Sequence, residues 1–440
     1  MDPIIIIGGG LAGSEAAWQA ANRNCRVSLI DMKPHAFSPA HESSDLAELV
    51  CSNSFRSNDL HSAVGLLKEE MRRCDSIIMH VADKNKVPAG KALAVDRGRF
   101  SEEVTKKLVS HPLIEIVREE ILEVPPAKSS YTVLATGPLT TEPLAESLAT
   151  LTGRDRLAFY DAIAPIIYAE SLNSDIVYSK SRYEEGTGDY LNCPMDKEEY
   201  LHFIDELGRA DCVPLKSFED IKYFEGCLPV EVIRSRGEDT LRFGPMKPVG
   251  LEDPRTGKVP YAVVQLRMEN IQGTTYNMVG FQTKLTYSEQ KRIFRLIPGM
   301  ENVEFARLGS IHRNTFICAP ELLQPTLQFK SRPDLLLAGQ LSGVEGYIES
   351  AAMGLIAGIN CGRLALGNTP VVPPPTTALG SLISHLTMSD AKKFQPSNIN
   401  FGLFPAWEKK IPKRLRGQIR AETGLEALRD WMLESSLNPQ

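Results

Sequence analysis

The chain has 440 residues, a net charge of −6, and 42% hydrophobic and 24% charged residues, a composition expected of a soluble globular protein with two or three lobes. No apolar run approaches the roughly 20 residues needed to cross a bilayer, and the acidic balance does not announce nucleic acid. The eight cysteines contain no Cys-x-x-Cys pair, which argues against zinc, a metal site or a disulfide framework and for a cytoplasmic protein with reduced thiols.

The chain opens on a predicted strand, Ile4 to Ile7, with no basic flank of the kind that marks a secretory signal. It runs into Gly8-Gly9-Gly10-Leu11-Ala12-Gly13 and then a predicted helix; a second strand, Val27 to Ile30, ends at Asp31. Glycines 8, 10 and 13 fit G-x-G-x-x-G. Gly8 permits the tight turn, Gly10 lets the backbone approach a pyrophosphate, and Gly13 lets helix pack on strand. Asp31 follows at about the 20-residue spacing from which a carboxylate accepts hydrogen bonds from a ribose diol. Gly8, Gly9, Gly10, Leu11, Ala12, Gly13 and Asp31 are the expected dinucleotide contacts.

Residues 41–80 read as helix and loop, with Leu60, Val64, Leu67 and Met71 at helical spacing. Ala92 to Val95 and Arg99 to Val109 predict a short strand and a helix. Ile114 to Val124 and Tyr131 to Leu134 predict strands that return to the cofactor. The second of these continues into Ala135-Thr136-Gly137, where the backbone passes close to a bound cofactor. Between about 185 and 305 the character changes: Tyr261 to Leu266 and Tyr276 to Gly280 favour strands, and Lys197 to Leu207 a helix. Leu335-Leu336-Leu337-Ala338-Gly339-Gln340 then leads through Gly343 into a long helix from Tyr347, and prolines 370, 373, 374 and 375 precede a helical tail from about 381. An early dinucleotide turn, a mid-chain Ala-Thr-Gly and a late Ala-Gly before a helix are the outline of two-dinucleotide flavoproteins. Ala135, Thr136, Gly137, Gly339, Gln340 and Gly343 therefore join the expected FAD contacts. The predicted fold is α/β: a Rossmann-like FAD-binding domain in two parts, 1–185 and 305–440, with an inserted α+β domain at 186–304. No second glycine fingerprint follows a strand, so a nicotinamide would visit the flavin and leave.

Two runs are basic. Residues 408–420 carry Lys409, Lys410, Lys413, Arg414, Arg416 and Arg420 against Glu408; residues 83–99 carry Lys84, Lys86, Lys91, Arg97 and Arg99 against Asp83 and Asp96. Each alone reads as a solvated helix face, although a local patch can steer a polyanion on an acidic protein. Cys51, in Leu49-Val50-Cys51-Ser52-Asn53-Ser54-Phe55, and Cys227, in Phe224-Glu225-Gly226-Cys227-Leu228-Pro229, each read alone as a small buried thiol.

Longer strings go further. The chain resembles the bacterial FAD- and folate-dependent tRNA uracil-5-methyltransferases in Gly8 to Ala17, Glu48 to Ser54, Val87 to Arg97, Ala135 to Thr140, Asp189 to Met195, Phe243-Gly244-Pro245-Met246-Lys247-Pro248-Val249-Gly250-Leu251, His312 to Thr315 and Gly343 to Tyr347. The tail after about 405 matches least well. The resemblance implies transfer of a methylene from 5,10-methylenetetrahydrofolate, through reduced FAD, to carbon 5 of a T-loop uracil in tRNA, with NADH or NADPH as reductant. It implies Cys227 as the nucleophile at uracil carbon 6. Cys51, beside the flavin, is implied to remove a proton or protect the carried methylene. His312 is implied to stack on the folate pterin, with Arg313 and Asn314 next to it; without the family, His312 is a lone histidine in a polar segment. No membrane and no obligate protein partner are expected. The same chemistry on ribosomal RNA, a flavin thiol oxidoreductase pairing Cys51 with Cys227, and a non-catalytic RNA-folding flavoprotein stay open on sequence.

Overall fold

The structure, a computed structural model, describes residues 2–127, 130–153, 157–182, 188–214, 228–407 and 410–437. Cys227, the expected nucleophile, lies outside the described residues, as do Glu408 and Lys409.

Four consecutive isoleucines form the middle strand of a five-stranded sheet. The order is Leu335–Leu337, Thr132–Leu134, Ile4–Ile7, Val27–Asp31, Ile114–Arg118, and every pairing is parallel. Parallel strands covered on both faces read as unbroken apolar runs rather than alternations, which is why Ile4–Ile7 and Leu335–Leu337 carry no polar residue. From the central strand the chain moves outward on one side and then crosses to the other. That reversal leaves a crevice at the strand ends between Ile7 and Leu134, where open α/β sheets bind ligands.

The helices Leu11–Ala21 and Tyr347–Ala365 cross at close range because their contact is made by small residues. A Cβ built on Gly354 would stand 2.1 Å from the Ala12 carbonyl oxygen, and one on Gly358 would stand 2.5 Å from that of Ala16. Buried carboxyls tie other helices to this core. Glu15 accepts hydrogen bonds from Ser76 Oγ (2.6 Å) and the Ile78 amide (3.2 Å) at the start of helix Ile77–Lys84. Glu70 accepts the amides of Ala378 (2.7 Å) and Leu379 (2.9 Å), which open helix Ala378–Met388. These contacts satisfy amides that a helix start leaves orphaned.

A second sheet is antiparallel throughout, in the order Tyr178–Ser179, Tyr190–Met195, Ala262–Met268, Thr275–Met278, Ile166–Tyr168, Phe305–Arg307. It has its own core, including Tyr200, Phe203, Phe281 and Phe294. Its strands start before residue 186 and end after 304: Ile166–Tyr168, paired on both sides, and the edge strand Phe305–Arg307 are three-residue segments with little strand signal of their own. A ribbon, Leu157–Ile163 paired antiparallel with Ser310–Phe316, lies next to both sheets in the chain. The structure also makes Ser54–Ser57 a strand, paired with Ala92–Val95, inside the stretch read as helix and loop. Four residues with two serines show no periodicity to read. Among the described residues the tail carries the α-helices Ala378–Met388 and Arg416–Glu434.

Gly354→Val forces a side chain into the Ala12 backbone. Overpacking of this kind costs about 1–3 kcal/mol or more, so the thermal midpoint should fall by several degrees. Gly98→Ala, on helix Arg97–Val109 with its nearest contact 3.8 Å away, should leave the midpoint unchanged or raise it. Equal midpoints for both variants and the parent, in a calorimetric scan, would refute the close-packing argument.

Candidate active site

The crevice at the sheet reversal is a cleft of about 1110 Å³, its open mouth included. Gly8, Gly9, Gly10, Leu11, Ala12, Asp31, Ala135, Thr136, Gly137, Gly339 and Gln340 all line it. Two members of the expected set do not. Gly13 sits beneath the turn, where a Cβ would meet the Gly8 carbonyl oxygen at 1.7 Å, and Gly343 (φ +100°) packs against the Phe394 ring. Gly343 thus turns the chain into the late helix without reaching the cleft.

The turn itself is built from backbone. Gly8 has φ +102°, and a side chain there would meet the Ala135 carbonyl oxygen at 2.5 Å, so the two central strand ends converge only around glycine. A Cβ at Gly10 meets no protein atom within 4 Å. Nothing in the protein demands glycine there, while a ligand backed against the turn would. Gly10 is also the cap of helix Leu11–Ala21 and offers no side chain to its first amides. Those amides and the positive end of the helix dipole suit a phosphate.

Asp31 is 7% exposed. Its Oδ2 accepts the Gly9 amide (2.7 Å) and its Oδ1 the Lys33 amide (3.0 Å), with Arg118 Nη1 at 3.7 Å. A carboxylate has about four lone-pair sites, so two remain for a diol while the backbone fixes the group. Backbone turn, uncapped helix start and oriented carboxylate together fit a dinucleotide. The lining also includes groups the sequence reading did not single out, among them Glu48, Glu119, Tyr347 and Ser350. His41 also lines the cleft, hydrogen-bonded through Nδ1 to Ser38 Oγ at 2.6 Å. Burial, then nearby Lys33, pushes its pKa down to about 4, so it is neutral at physiological pH.

Cys51 stands beside the cleft without being part of its lining; its neighbour Val50 is. The Cys51 and Ser52 amides both donate to Tyr347 Oη, at 2.7 and 3.0 Å. Burial holds that phenol well above its ordinary pKa, so it stays protonated. From the other side, Arg267 donates to Ser52 Oγ (2.7 Å) and Asn53 Oδ1 (2.9 Å), and Asn53 Nδ2 donates to the carbonyls of Val95 and Met268, both at 2.9 Å. Arg97 pairs with Glu269 at 3.0 Å and donates to the Leu49 carbonyl. The thiol segment is therefore held by the late helix, the second sheet and helix Arg97–Val109 at once. Half-buried Cys51 places Sγ 3.9 Å from the Ala162 carbonyl oxygen on the ribbon.

His312 lies on the facing ribbon strand, opposite Asp161 and so one residue from the Ala162 level. Its Nε2 contacts Ser310 Oγ at 2.8 Å; burial, then Arg307, pushes its pKa down. The Thr315 amide donates to the Pro138 carbonyl (2.9 Å), which docks this strand on the Gly137 turn. The ribbon thus brings Cys51, His312 and the cleft rim together. Arg313 is half-buried and Asn314 buried in the same strand, and none of the three lines the cleft. Buried Glu345 accepts from Gln340 Nε2 at 2.5 Å; burial, then Asp161 and Cys51, raise its pKa well above its ordinary value. No group of three or more His, Cys, Asp or Glu stands ready for a metal among the described residues. Nor is any helix among them long and apolar enough to cross a membrane.

The glucose inhibited division protein A family matches residues 3–369. The chain is 72% identical to the methylenetetrahydrofolate–tRNA-(uracil-5-)-methyltransferase TrmFO of Desulfotalea psychrophila, over 98% of this chain and 97% of the relative. It is 58% identical to the protein of the same name from Geobacter sulfurreducens, over 98% of each. Among solved structures, Aquifex aeolicus GidA in its form II crystal superposes with a TM-score of 0.72 at 18% identity, covering 100% of this chain and 74% of that one. That last likeness speaks to fold alone.

Tyr347→Phe removes the acceptor for two amides. Each unsatisfied donor costs about 1–3 kcal/mol, so amide hydrogen exchange at Cys51 and Ser52 should quicken at least ten-fold, by mass spectrometry of the peptide that carries them. Unchanged exchange would mean that Tyr347 does not hold the thiol segment.

Proposed function

Because this chain belongs to the methylenetetrahydrofolate–tRNA-(uracil-5-)-methyltransferase family, we propose that it methylates carbon 5 of a T-loop uracil in tRNA, taking the carbon from 5,10-methylenetetrahydrofolate and the electrons from NADH or NADPH. The observation that carries this reading is the adjacency of Cys51 to the strand-end cleft, through Val50 in its wall and Tyr347 Oη behind its amide. FAD is the dinucleotide this cleft fits, and when bound it supplies the redox relay that turns a methylene into a methyl group. Gly8, Gly10, Asp31 and the Ala135-Thr136-Gly137 turn would hold it.

The protein's own residues have separate tasks. Carbon 5 of uracil is a poor nucleophile. A thiolate adding to carbon 6 moves electron density onto carbon 5 and divides the barrier. Cys227 is assigned that addition: its sulfur bonds to carbon 6, and the same bond breaks when the ring regains its double bond. Between these events carbon 5 takes the one-carbon unit and must lose its proton. Cys51 receives that proton, because it is the thiol on the cleft side and its position is set by hydrogen bonds to both of its flanking elements. His312, kept neutral by burial, offers an uncharged ring face to a pterin. Asn314 and Arg313 share its strand and stabilise its setting. The reaction belongs in the cytoplasm, where folate and transfer RNA meet.

Incubation with unmodified tRNA, labelled methylenetetrahydrofolate and NADPH should place label in 5-methyluridine on nucleoside analysis. Cys51→Ala and Cys227→Ala should each lower turnover by at least 1,000-fold with FAD retained. With 5-fluorouracil at the target, proton removal is blocked, and a covalent protein–RNA adduct should form in the parent and in Cys51→Ala but not in Cys227→Ala. An adduct that survives only in Cys227→Ala reverses the two roles; label drawn from S-adenosylmethionine overturns the reading.

A further inference from the structure

The two basic runs of the sequence meet different fates in the fold. In 83–99 most of the charge is neutralised. Lys84 pairs with Glu103 (2.7 Å), Lys86 with Asp83 (2.9 Å), Arg97 with Glu269 (3.0 Å) and Arg99 with Asp96 (3.9 Å). Lys91 is exposed and has no ion pair among the described residues. In the later run Arg420 is buried: its guanidinium lies 3.8 Å from the Trp407 ring centre and donates to the Pro405 carbonyl at 2.6 Å. Arg420 therefore fastens the segment. Lys410, Lys413, Arg414 and Arg416 are all exposed and without an ion pair among the described residues. Their backbone is not loose. The Leu415 amide donates to the Pro412 carbonyl (3.0 Å) and Arg416 Nε to that of Ile411 (3.1 Å).

The fold then joins these separate cations around a single turn, residues 58–62. The Asn58 amide donates to the Lys91 carbonyl at 2.8 Å. On the other flank, Gly417 rests on the turn so closely that a Cβ would stand 2.3 Å from the His61 carbonyl oxygen. Asp59 in the turn, which accepts the His61 amide at 2.9 Å, and Asp189, which accepts the Gly90 amide at 2.7 Å beside Lys91, are two negative charges against five cations. From this turn the strand Ser54–Ser57 leads back to Cys51. Seven residues of chain separate Asn58 from Cys51, at most about 25 Å, or on the order of seven phosphate steps at 3.4 Å along one strand of a duplex. A run of unpaired cations on a net-acidic protein attracts a polyanion to that face and little else.

We propose that Lys91, Lys410, Lys413, Arg414 and Arg416 form the surface that holds the phosphates of the tRNA stem, with the strand Ser54–Ser57 leading from it to the base-modifying cleft at Cys51. This rests on the tRNA reading above and adds to it where the RNA lies. Phosphate contacts of this kind set orientation and carry no sequence information; choice of the target base stays with the cleft.

The test is a salt titration of tRNA binding by the full-length FAD-loaded protein. In the variant K410Q/K413Q/R414Q/R416Q the slope of log affinity against log salt should become shallower by about 3, since each phosphate contributes roughly 0.7–0.9. Affinity at about 0.1 M salt should fall at least ten-fold, and KM for tRNA should rise with it. Lys91→Gln alone should lower the slope by a little under 1. FAD content equal to the parent's is the check on folding, and all five side chains are exposed. Unchanged slope and affinity in both variants, with a parent that methylates tRNA, overturns the surface and leaves the function standing. A parent that binds no tRNA and methylates none overturns the function first. Loss of binding to phosphatidylserine vesicles with tRNA binding intact would assign the patch to a membrane and equally sink the proposal.

Discussion

Backbone touching backbone at the first strand–helix turn is the constraint on which the rest of this structure depends. Gly13 lies under Gly8 with room for a hydrogen only, since a Cβ would be 1.7 Å from the Gly8 carbonyl oxygen, and a Cβ on Gly8 would be 2.5 Å from that of Ala135. Gly354 and Gly358 repeat the device one layer out, against Ala12 and Ala16. With no side chains between them, the first helix, the central strands and the late helix share one short axis of contact. The uncapped start of the first helix, the ends of the central strands and the start of the late helix consequently open on the same crevice. Dispersion contacts at this range are dense, but the larger consequence is positional. The amides, the Asp31 carboxylate and Tyr347 are aimed before any ligand arrives.

The thiol segment depends on that arrangement at one remove. Residues 49–53 have no regular structure of their own, and a segment like this would ordinarily move. Here its amides go to Tyr347 at the head of the late helix, while Arg267 and Asn53 bind it to the second sheet. A buried hydrogen-bonded network of this kind favours one geometry, because breaking one of its bonds strands a charge or a donor in low dielectric. The neighbouring acids follow the same logic. Burial, then Asp161 and Cys51, raise the pKa of Glu345, and burial raises Glu15 and Glu70 to about 7 and about 8.

How much of this could be read in advance varied with how local the signal was. The glycine turn, Asp31, Ala135 to Gly137 and Gly339-Gln340 line the cleft as their local patterns suggested, since each pattern encodes a backbone geometry that only a few residues permit. Gly343 followed the same rule but to another end: its left-handed φ is used under Phe394 and not at the cleft. The short strands Ser54–Ser57, Ile166–Tyr168 and Phe305–Arg307 escaped notice because three or four residues carry no period. His41, Glu48 and Tyr347 escaped for a different reason. A half-buried histidine or tyrosine has no sequence mark of the wall it faces.

The sequence by itself determined the elements and the chemistry they bring: a buried parallel sheet from unbroken isoleucine and leucine runs, a glycine fingerprint in register with a carboxylate, and motifs specific enough to carry a family. Those are short-range properties, set by φ restrictions and by side-chain period. Only the tertiary structure decided which groups meet. It set Cys51 against the ribbon strand that pairs with the strand of His312, pinned the thiol segment from three elements, and spent four of the five cations of 83–99 in ion pairs. It also carried Lys91 across to the tail cations, more than 300 residues later in the chain, through one hydrogen bond at Asn58 and one glycine contact at His61. Charge in a sequence is only a sum; its effect depends on distance and on whether a counter-charge stands within reach, and those are fixed by packing alone.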